Sequence, residues 1–306
     1  MNKPILISIV GPTGIGKTSL SVKLANHFNT EILSADSRQF YKEMSIGTAV
    51  PTESELASAK HHLIQDISIK QNFSVGDFEK KALKTLKNLF SKKDIAVLVG
   101  GSGLYVDALV KGLDEFPNVD PQIRESLNTK LNDEGLEILQ DQLKVLDPVA
   151  YSTISIDNPH RVIRALEICL GTGNPYSSYL KKDKEQRFFR TISIGLIAER
   201  EIIYDRINQR VDIMINDGLV QEAKTLYPFR TFNALNTVGY KELFRFFDGE
   251  ISLDFAISEI KKNTRRFAKR QLTWFRKDKG IHWFDYKTDY LEIARFIENE
   301  IKKPAE

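Results

Sequence analysis

The chain has 306 residues, 42% of them hydrophobic and 28% charged, and a net charge of only +3. That balance fits a folded globular protein with a sizeable core, in one large domain or two smaller ones, and no whole-molecule field announces a nucleic-acid binder. A single cysteine, Cys169 in "RALEICL", excludes an internal disulfide and a Cys-rich zinc site, and its helical setting predicts a buried structural thiol.

In chain order, "ILISIV" (5–10) reads as a buried strand; it is too short for a signal peptide and runs straight into a glycine-rich loop. A helix is predicted from about Thr18 to Asn29, a strand over "EILSADS" (31–37), and a short third strand over "HLIQDI" (62–67). "SVGDFEKKALKTLKNLF" is amphipathic, with Phe78, Ala82, Leu86 and Leu89 on one face. "IAVLV" (95–99) is another buried strand. From about 115 to 189 the pattern turns helical, broken at Asp-Pro and Asn-Pro, before "TISIGLIA" (191–198) returns as a strand and "IHWFD" (281–285) offers a last one. The expected fold is α/β: a P-loop NTPase-like parallel sheet flanked by helices, with an inserted helical domain. Residues 1–114 and 190–306 would form the core and 115–189 the insertion. No run approaches the roughly 18 apolar residues of a membrane span, so a cytoplasmic protein is expected, with a monomer as the default.

The loop after the first strand is Gly11, Pro12, Thr13, Gly14, Ile15, Gly16, Lys17, Thr18, which is G-x-x-x-x-G-K-T. Glycines let successive N–H groups turn toward an anion, and the following helix adds its positive end. Lys17 neutralises phosphate oxygens and Thr18 offers a hydroxyl to Mg2+. A nucleotide hydrolase also needs an acid at the end of a buried strand to help hold the metal. "IAVLV" ends instead in "GGSGLY". Phosphate binding is supported and nucleotide hydrolysis is not. A carboxylate does end the second strand: Asp36, at the carboxyl edge where ligands of such sheets bind. It suits a general base for an acceptor, and equally a cap for a helix starting at Ser37.

Seven segments in this order resemble the tRNA dimethylallyltransferases (tRNA isopentenyltransferases): "GPTGIGKT" (11–18), "SADSRQFYKEMSIGTA" (34–49), "HHLIQDI" (61–67), "LVGGSGLYVDALVKG" (98–112), "NPHRVIRALE" (158–167), "TVGYKE" (237–242) and "TRRFAKRQLTWFR" (264–276). The phosphate loop alone is widely shared; "DS-x-Q-x-Y", "GG(S/T)-x-LY" and "TRR-x-AKRQ-x-x-W" together are specific. The resemblance implies transfer of a dimethylallyl group from its diphosphate to the exocyclic amine of the adenosine beside the anticodon on its 3′ side. Residues 11–18 would then hold the leaving diphosphate, with Lys17 catalytic. Asp36 would take the amine proton, and Ser102, where the family often has Thr, would contact the adenosine or its backbone. Arg206 and Arg210, one helical turn apart, would point at the diphosphate, Arg210 foremost; spacing alone allows a solvated helix face. Val50 replaces a frequent family Lys, which puts one phosphate contact in doubt.

The tRNA anticodon stem-loop would be held by Asp36, Ser37, Arg38 and Gln39, by Ser102, and by Arg124, His160, Arg161, Val162, Ile163 and Arg164 of the insertion. Asn236, Thr237, Val238, Gly239, Tyr240 and Lys241 match another RNA-contacting segment. Residues 261–279 carry nine Lys or Arg and one acid. As a helix this stretch puts Lys262, Arg266, Arg270 and Lys277 on one side and Thr264, Phe267, Gln271 and Trp274 on another, so that Arg266 and Arg270 would dock on phosphates. The competing readings are a nucleotide or small-molecule kinase, and an RNA-binding protein with a relict loop.

Overall fold

The computed structural model describes residues 3–180 and 186–303. It divides into two compact units: one runs to Lys111 and resumes at Arg187, and the other is Gly112–Gln186.

The first unit holds a six-stranded sheet in the order β3-β2-β4-β1-β5-β6, with every strand pair parallel. The strands are β1 (Ile5–Val10), β2 (Ile32–Ser34), β3 (His61–His62), β4 (Ile95–Val99), β5 (Arg190–Ile197) and β6 (Ile281–Asp285). The helices before the insertion are α1 (Lys17–His27), α2 (Glu53–Ser58), α3 (Val75–Phe90) and α4 (Gly103–Lys111). The second unit holds α5 (Pro121–Glu134), α6 (Leu136–Leu146), α7 (Pro148–Thr153) and α8 (Pro159–Thr172). After it come α9 (Arg200–Asn216), α10 (Leu219–Leu226), α11 (Tyr240–Phe247), α12 (Leu253–Phe275) and α13 (Tyr290–Lys302). Among the described residues no helix is long and apolar enough to cross a membrane.

The strands read as unbroken apolar runs because both faces of the sheet are covered. Ile5, Ile7 and Ile9 pack with Val97, Ile192 and Ile194 on one face. Leu6 and Val10 pack with Leu33, Ala96 and Leu98 on the other. On that second face α3 buries Phe78, Ala82, Leu86 and Leu89, the stripe its sequence predicts. A reciprocal cap starts it: the Ser74 hydroxyl accepts from the Asp77 N–H, and the Asp77 carboxylate accepts from the Ser74 N–H.

Two expected strands are shorter. β2 stops at Ser34, so Asp36 lies two residues beyond the strand, just before the turn at 37–40. The expected strand over 62–67 joins the sheet only at His61 and His62, and Ile67 makes an isolated parallel bridge to Tyr41. Leu63 and Gln65 then take positive φ, and the Gln65 and Asp66 N–H groups bond to the carbonyls of Gln39 and Phe40. The chain folds over the 39–41 turn instead of continuing in the sheet.

In the second unit, three helices begin with Pro after an acid or amide cap. Asp120 accepts from the Gln122 N–H, Asp147 from Ala150 and Asn158 from His160. Pro fits the first helical position because its missing N–H would be unpaired there. Cys169 is buried, its sulfur accepts from the Tyr176 N–H, and burial pushes the thiol pKa up, as suits an inert core thiol.

The carboxyl ends of β1, β2 and β4 meet tightly. The Ala35 N–H bonds to the Val99 carbonyl and the Gly100 N–H to the Ile9 carbonyl. A Cβ on Gly100 would lie 2.5 Å from the Ala35 carbonyl oxygen, which is backbone and cannot swing aside. Gly100→Ala is therefore expected to cost about 1–3 kcal/mol, read as a lower urea midpoint with an unchanged slope.

Candidate active site

The phosphate loop joins β1 to α1 at the centre of the sheet. Gly11 takes φ +143°, and a Cβ there would meet the Leu196 carbonyl oxygen at 2.7 Å. The Ile15 side chain is buried in the core and anchors the loop there. Gly16 caps α1 in the left-handed region. The Lys17 ammonium folds back onto the Pro12 carbonyl at 2.8 Å.

Two arginines of α9 close on the loop. Arg206 Nε donates to the Gly14 carbonyl at 2.7 Å, and Arg210 Nη1 approaches the Thr13 hydroxyl at 3.4 Å. Arg210 is half-buried there, while Arg206 stays exposed even as it bonds to the loop. Lys17, Thr18, Arg206 and Arg210 line a cleft of about 360 Å³. Burial lowers the Lys17 pKa to about 7; the Arg210 cation adds to the fall and Asp36 opposes it. Burial also lowers Arg210, against Asp36 and Glu55. The cleft crowds positive charge that an anion would relieve.

A second cavity, of about 380 Å³, brings together Thr13, Asp36, Arg210, Thr48, Lys241 and Arg270. Its apolar lining comes from Ile207, Val211, Met214, Leu219, Ile260 and Phe267. Arg210 and Asp36 also line a smaller space with Lys17 and Thr18, so the phosphate loop and the carboxylate face common ground. No helix begins at Ser37: residues 37–40 are turn. Asp36 Oδ1 accepts from the Arg38 N–H at 3.0 Å, which sets the side chain; Oδ2 makes no hydrogen bond among the described residues.

Several residues expected to touch RNA are otherwise engaged. Val162 and Ile163 are buried in the core of the second unit, because α8 turns that face inward. Arg124 and Arg164 both pair with Glu167, whose side chain is only 9% exposed. Arg38 donates to the carbonyls of Asn233, Ala234 and Asn236, and so binds the protein's own backbone. Tyr240 is fully buried, with its hydroxyl on Glu222. Ser102 accepts from the Ser37 N–H and donates to the Ser37 hydroxyl, which ties the β4 and β2 loops together. Ser37, Asn236, Thr237, Val238 and Gly239 line the large cavity. Gln39 bonds to the carbonyls of Thr48 and Ala49. His160, Arg161 and Arg266 are exposed.

The basic stripe also differs. Arg270 lines the cavity beside Phe267 and Thr264, with its guanidinium 5.7 Å from the Phe267 ring, so the two expected faces of α12 are not separate there. Lys277 lies beyond the helix end at Phe275.

The residue that sequence reasoning missed is Gln271. Its Oε1 accepts from the Thr13 N–H at 2.9 Å and its Nε2 donates to the Gly101 carbonyl at 2.8 Å. The helical period placed it on a packed face; nothing local signals a partner 258 residues away.

The sheet, its strand order and the glycine-rich loop define a P-loop-type α/β protein with a second, carboxylate-bearing cavity beside the phosphate site. The model of the IPP transferase family matches residues 39–278, and the chain belongs to that family. It is 62% identical to a tRNA dimethylallyltransferase of Christiangramia forsetii, over 97% of this chain and 98% of the relative. It is 58% identical to one of Flavobacterium johnsoniae, over 97% and 98%. Among solved structures it resembles the full-length tRNA isopentenylpyrophosphate transferase of Bacillus halodurans, with a TM-score of 0.74 at 40% identity over 98% of this chain and 97% of that one. It also resembles a eukaryotic dimethylallyltransferase acting on tRNA, with a TM-score of 0.82 at 26% identity over 99% and 81%.

Replacing Gln271 by Leu strands the Thr13 N–H and the Gly101 carbonyl. We expect a loss of about 1–3 kcal/mol from the buried Gly101 carbonyl and less from the half-buried Thr13 N–H, with weaker binding of inorganic diphosphate in calorimetry.

Proposed function

We propose that the chain transfers the dimethylallyl group of dimethylallyl diphosphate to the exocyclic amine of the adenosine 3′-adjacent to the anticodon in tRNA, releasing diphosphate. The observation that carries this is the shared frontage of the phosphate loop and Asp36, with Arg210 lining the space on both sides.

In this reading the allylic C–O bond breaks and the diphosphate departs into the cleft of Lys17, Arg206 and Arg210. Negative charge grows on the leaving oxygens, and donors held in place there stabilise it most in the transition state. The adenosine amine attacks the allylic carbon, and its proton passes to Asp36. An adenine amine is a weak nucleophile, so a fixed acceptor for that proton is chemically required. The base must leave the stack to reach Asp36, and the cavity has room beside the apolar wall. Asn236, Thr237 and Lys241 at the cavity, with Arg266 and Arg270, would hold the flanking nucleotides, and exposed His160 and Arg161 the stem-loop.

Mg2+ fits this site through phosphate rather than through protein carboxylates. No group of three or more His, Cys, Asp or Glu able to hold a metal occurs among the described residues. The Thr18 hydroxyl makes no hydrogen bond among them and lines the cleft. A small, hard ion that keeps several waters and takes substrate phosphate oxygens needs little more from the protein. When bound, it would neutralise charge on the departing diphosphate.

A transfer assay with labelled dimethylallyl diphosphate, a tRNA panel and ATP as control donor tests the proposal. Label should reach tRNA carrying adenosine beside the anticodon, with none from the γ-phosphate of ATP; phosphoryl transfer to a small acceptor would support the kinase reading instead. Asp36→Ala should bind tRNA almost normally while turnover falls by about 10²–10⁴-fold. Normal turnover would remove Asp36 from the chemistry.

The Lys17 pKa gives a second expectation. Free protein at pH 8 holds Lys17 mostly as a neutral amine, since its pKa is about 7. A bound diphosphate favours the ammonium, so binding at pH 8 takes up a proton and weakens as pH rises further. Calorimetry in buffers of different ionisation enthalpy should read that uptake, of about one proton, in the native protein and not in Lys17→Met.

A further inference from the structure

The segment from Ser45 to Ala49, a strap outside every helix and strand, is held by hydrogen bonds along both edges. Glu222, on α10, turns one carboxylate toward it. Oε2 accepts from the Ser45 N–H at 2.9 Å and the Ile46 N–H at 2.8 Å. Oε1 accepts from the Gly47 N–H at 2.9 Å and from the Tyr240 hydroxyl at 2.7 Å. Three successive peptide N–H groups thus converge on one anion, an arrangement that fixes the φ and ψ of the segment carrying them.

The other edge of the segment is pinned too. Gln39 Nε2 donates to the carbonyls of Thr48 and Ala49 at 3.2 and 2.9 Å. The Thr48 hydroxyl donates to the Met44 carbonyl at 2.7 Å. Between these ties Ala49 sits at φ +48°, a conformation uncommon for a residue with a Cβ and no polar side chain. Such a residue persists where its surroundings overdetermine it. Gly47 lies against the Tyr240 ring, and a Cβ there would come within 2.6 Å of it. Gly47, Thr48 and Ala49 all line the cavity that holds Asp36 and none lines the cleft of Lys17, Thr18 and Arg206, although Thr48 also reaches the smaller space shared by Lys17, Thr18 and Asp36.

We infer that Glu222 is a positioning residue for the RNA acceptor: through the 45–47 peptide N–H groups and Tyr240 it sets the wall against which the target nucleotide is seated. This rests on the reading of that cavity as the adenosine site. A carboxylate is suited to the task because it only accepts. A glutamine would turn its NH2 toward peptide N–H donors.

The test uses the full chain and three variants, each measured for the tRNA KM and kcat, the Kd for inorganic diphosphate, and the Tm. Glu222→Gln should raise the tRNA KM by about tenfold or more, the scale on which small misplacements act. Tyr240→Phe keeps the ring on Gly47 and removes one donor, so its KM should rise severalfold even if Glu222→Gln folds poorly. Ala49→Gly relieves the left-handed strain; it should keep or raise Tm yet still raise the tRNA KM. In all three the Kd for diphosphate should stay within about twofold, because the strap is absent from that cleft. An unchanged tRNA KM in Tyr240→Phe and Ala49→Gly would overturn the inference. So would parallel losses of tRNA and diphosphate affinity with a fall in Tm, which is the mark of a merely structural role. If the unaltered chain transfers nothing to any tRNA, the adenosine-site reading itself fails, and the strap's proposed role fails with it.

Discussion

The Gln271 side chain accepts a hydrogen bond from the peptide N–H of Thr13 and donates one to the carbonyl of Gly101. Through that one amide, α12 holds the phosphate loop after β1 against the loop after β4. The arrangement leaves no room for a side chain at Gly101, where a Cβ would lie 2.2 Å from the Gln271 amide nitrogen. Gly103 is constrained in the same way by the Trp274 ring. The loop after β4, where a nucleotide hydrolase would carry a metal-holding acid, is here glycine-rich and packed against Gln271 and Trp274 of α12.

Charge follows from that geometry. Lys17, Arg206 and Arg210 converge on a cleft with Glu55 at its edge, while Asp36 faces the adjoining space. Burial and the neighbouring guanidinium hold the Lys17 pKa near 7, and its nitrogen rests on the Pro12 carbonyl. In the proposed reading, a diphosphate would meet these cations. Asp36 is held by a short turn and keeps one oxygen clear of the protein's own donors. The leaving group and the attacking group would therefore meet different chemistry: fixed cations for one, a carboxylate for the other.

On the acceptor side, many polar residues serve the shape of the cavity before they serve a ligand. Arg38 ties its turn to the backbone of 233–236, and Glu222 ties the 45–47 backbone to α10 and α11. A guanidinium with several donors satisfies backbone carbonyls that a turn leaves unpaired. In the second unit, Arg124 and Arg164 satisfy the nearly buried Glu167 in the same way. Arg38 and Arg124 read from sequence as free cations because the partners that occupy them are distant in the chain, whereas Arg164 pairs with Glu167 one helical turn on.

The sequence by itself determined the elements whose signal is local. The continuous apolar runs of β1, β4 and β5, the apolar stripe of α3 and the Pro-headed helices of the insertion all follow from runs, periods and caps of a few residues. So did the phosphate loop, whose glycines, Lys17 and Thr18 lie within eight positions. Tertiary structure alone decided the rest. It shortened the third strand by folding 63–67 over the 39–41 turn, and it buried Val162, Ile163 and Tyr240. It also brought Arg270 to the wall of the cavity and Gln271 to the phosphate loop. A period shows that a residue faces inward; what it meets there depends on contacts hundreds of residues apart, and those exist only once the sheet and its helices have packed.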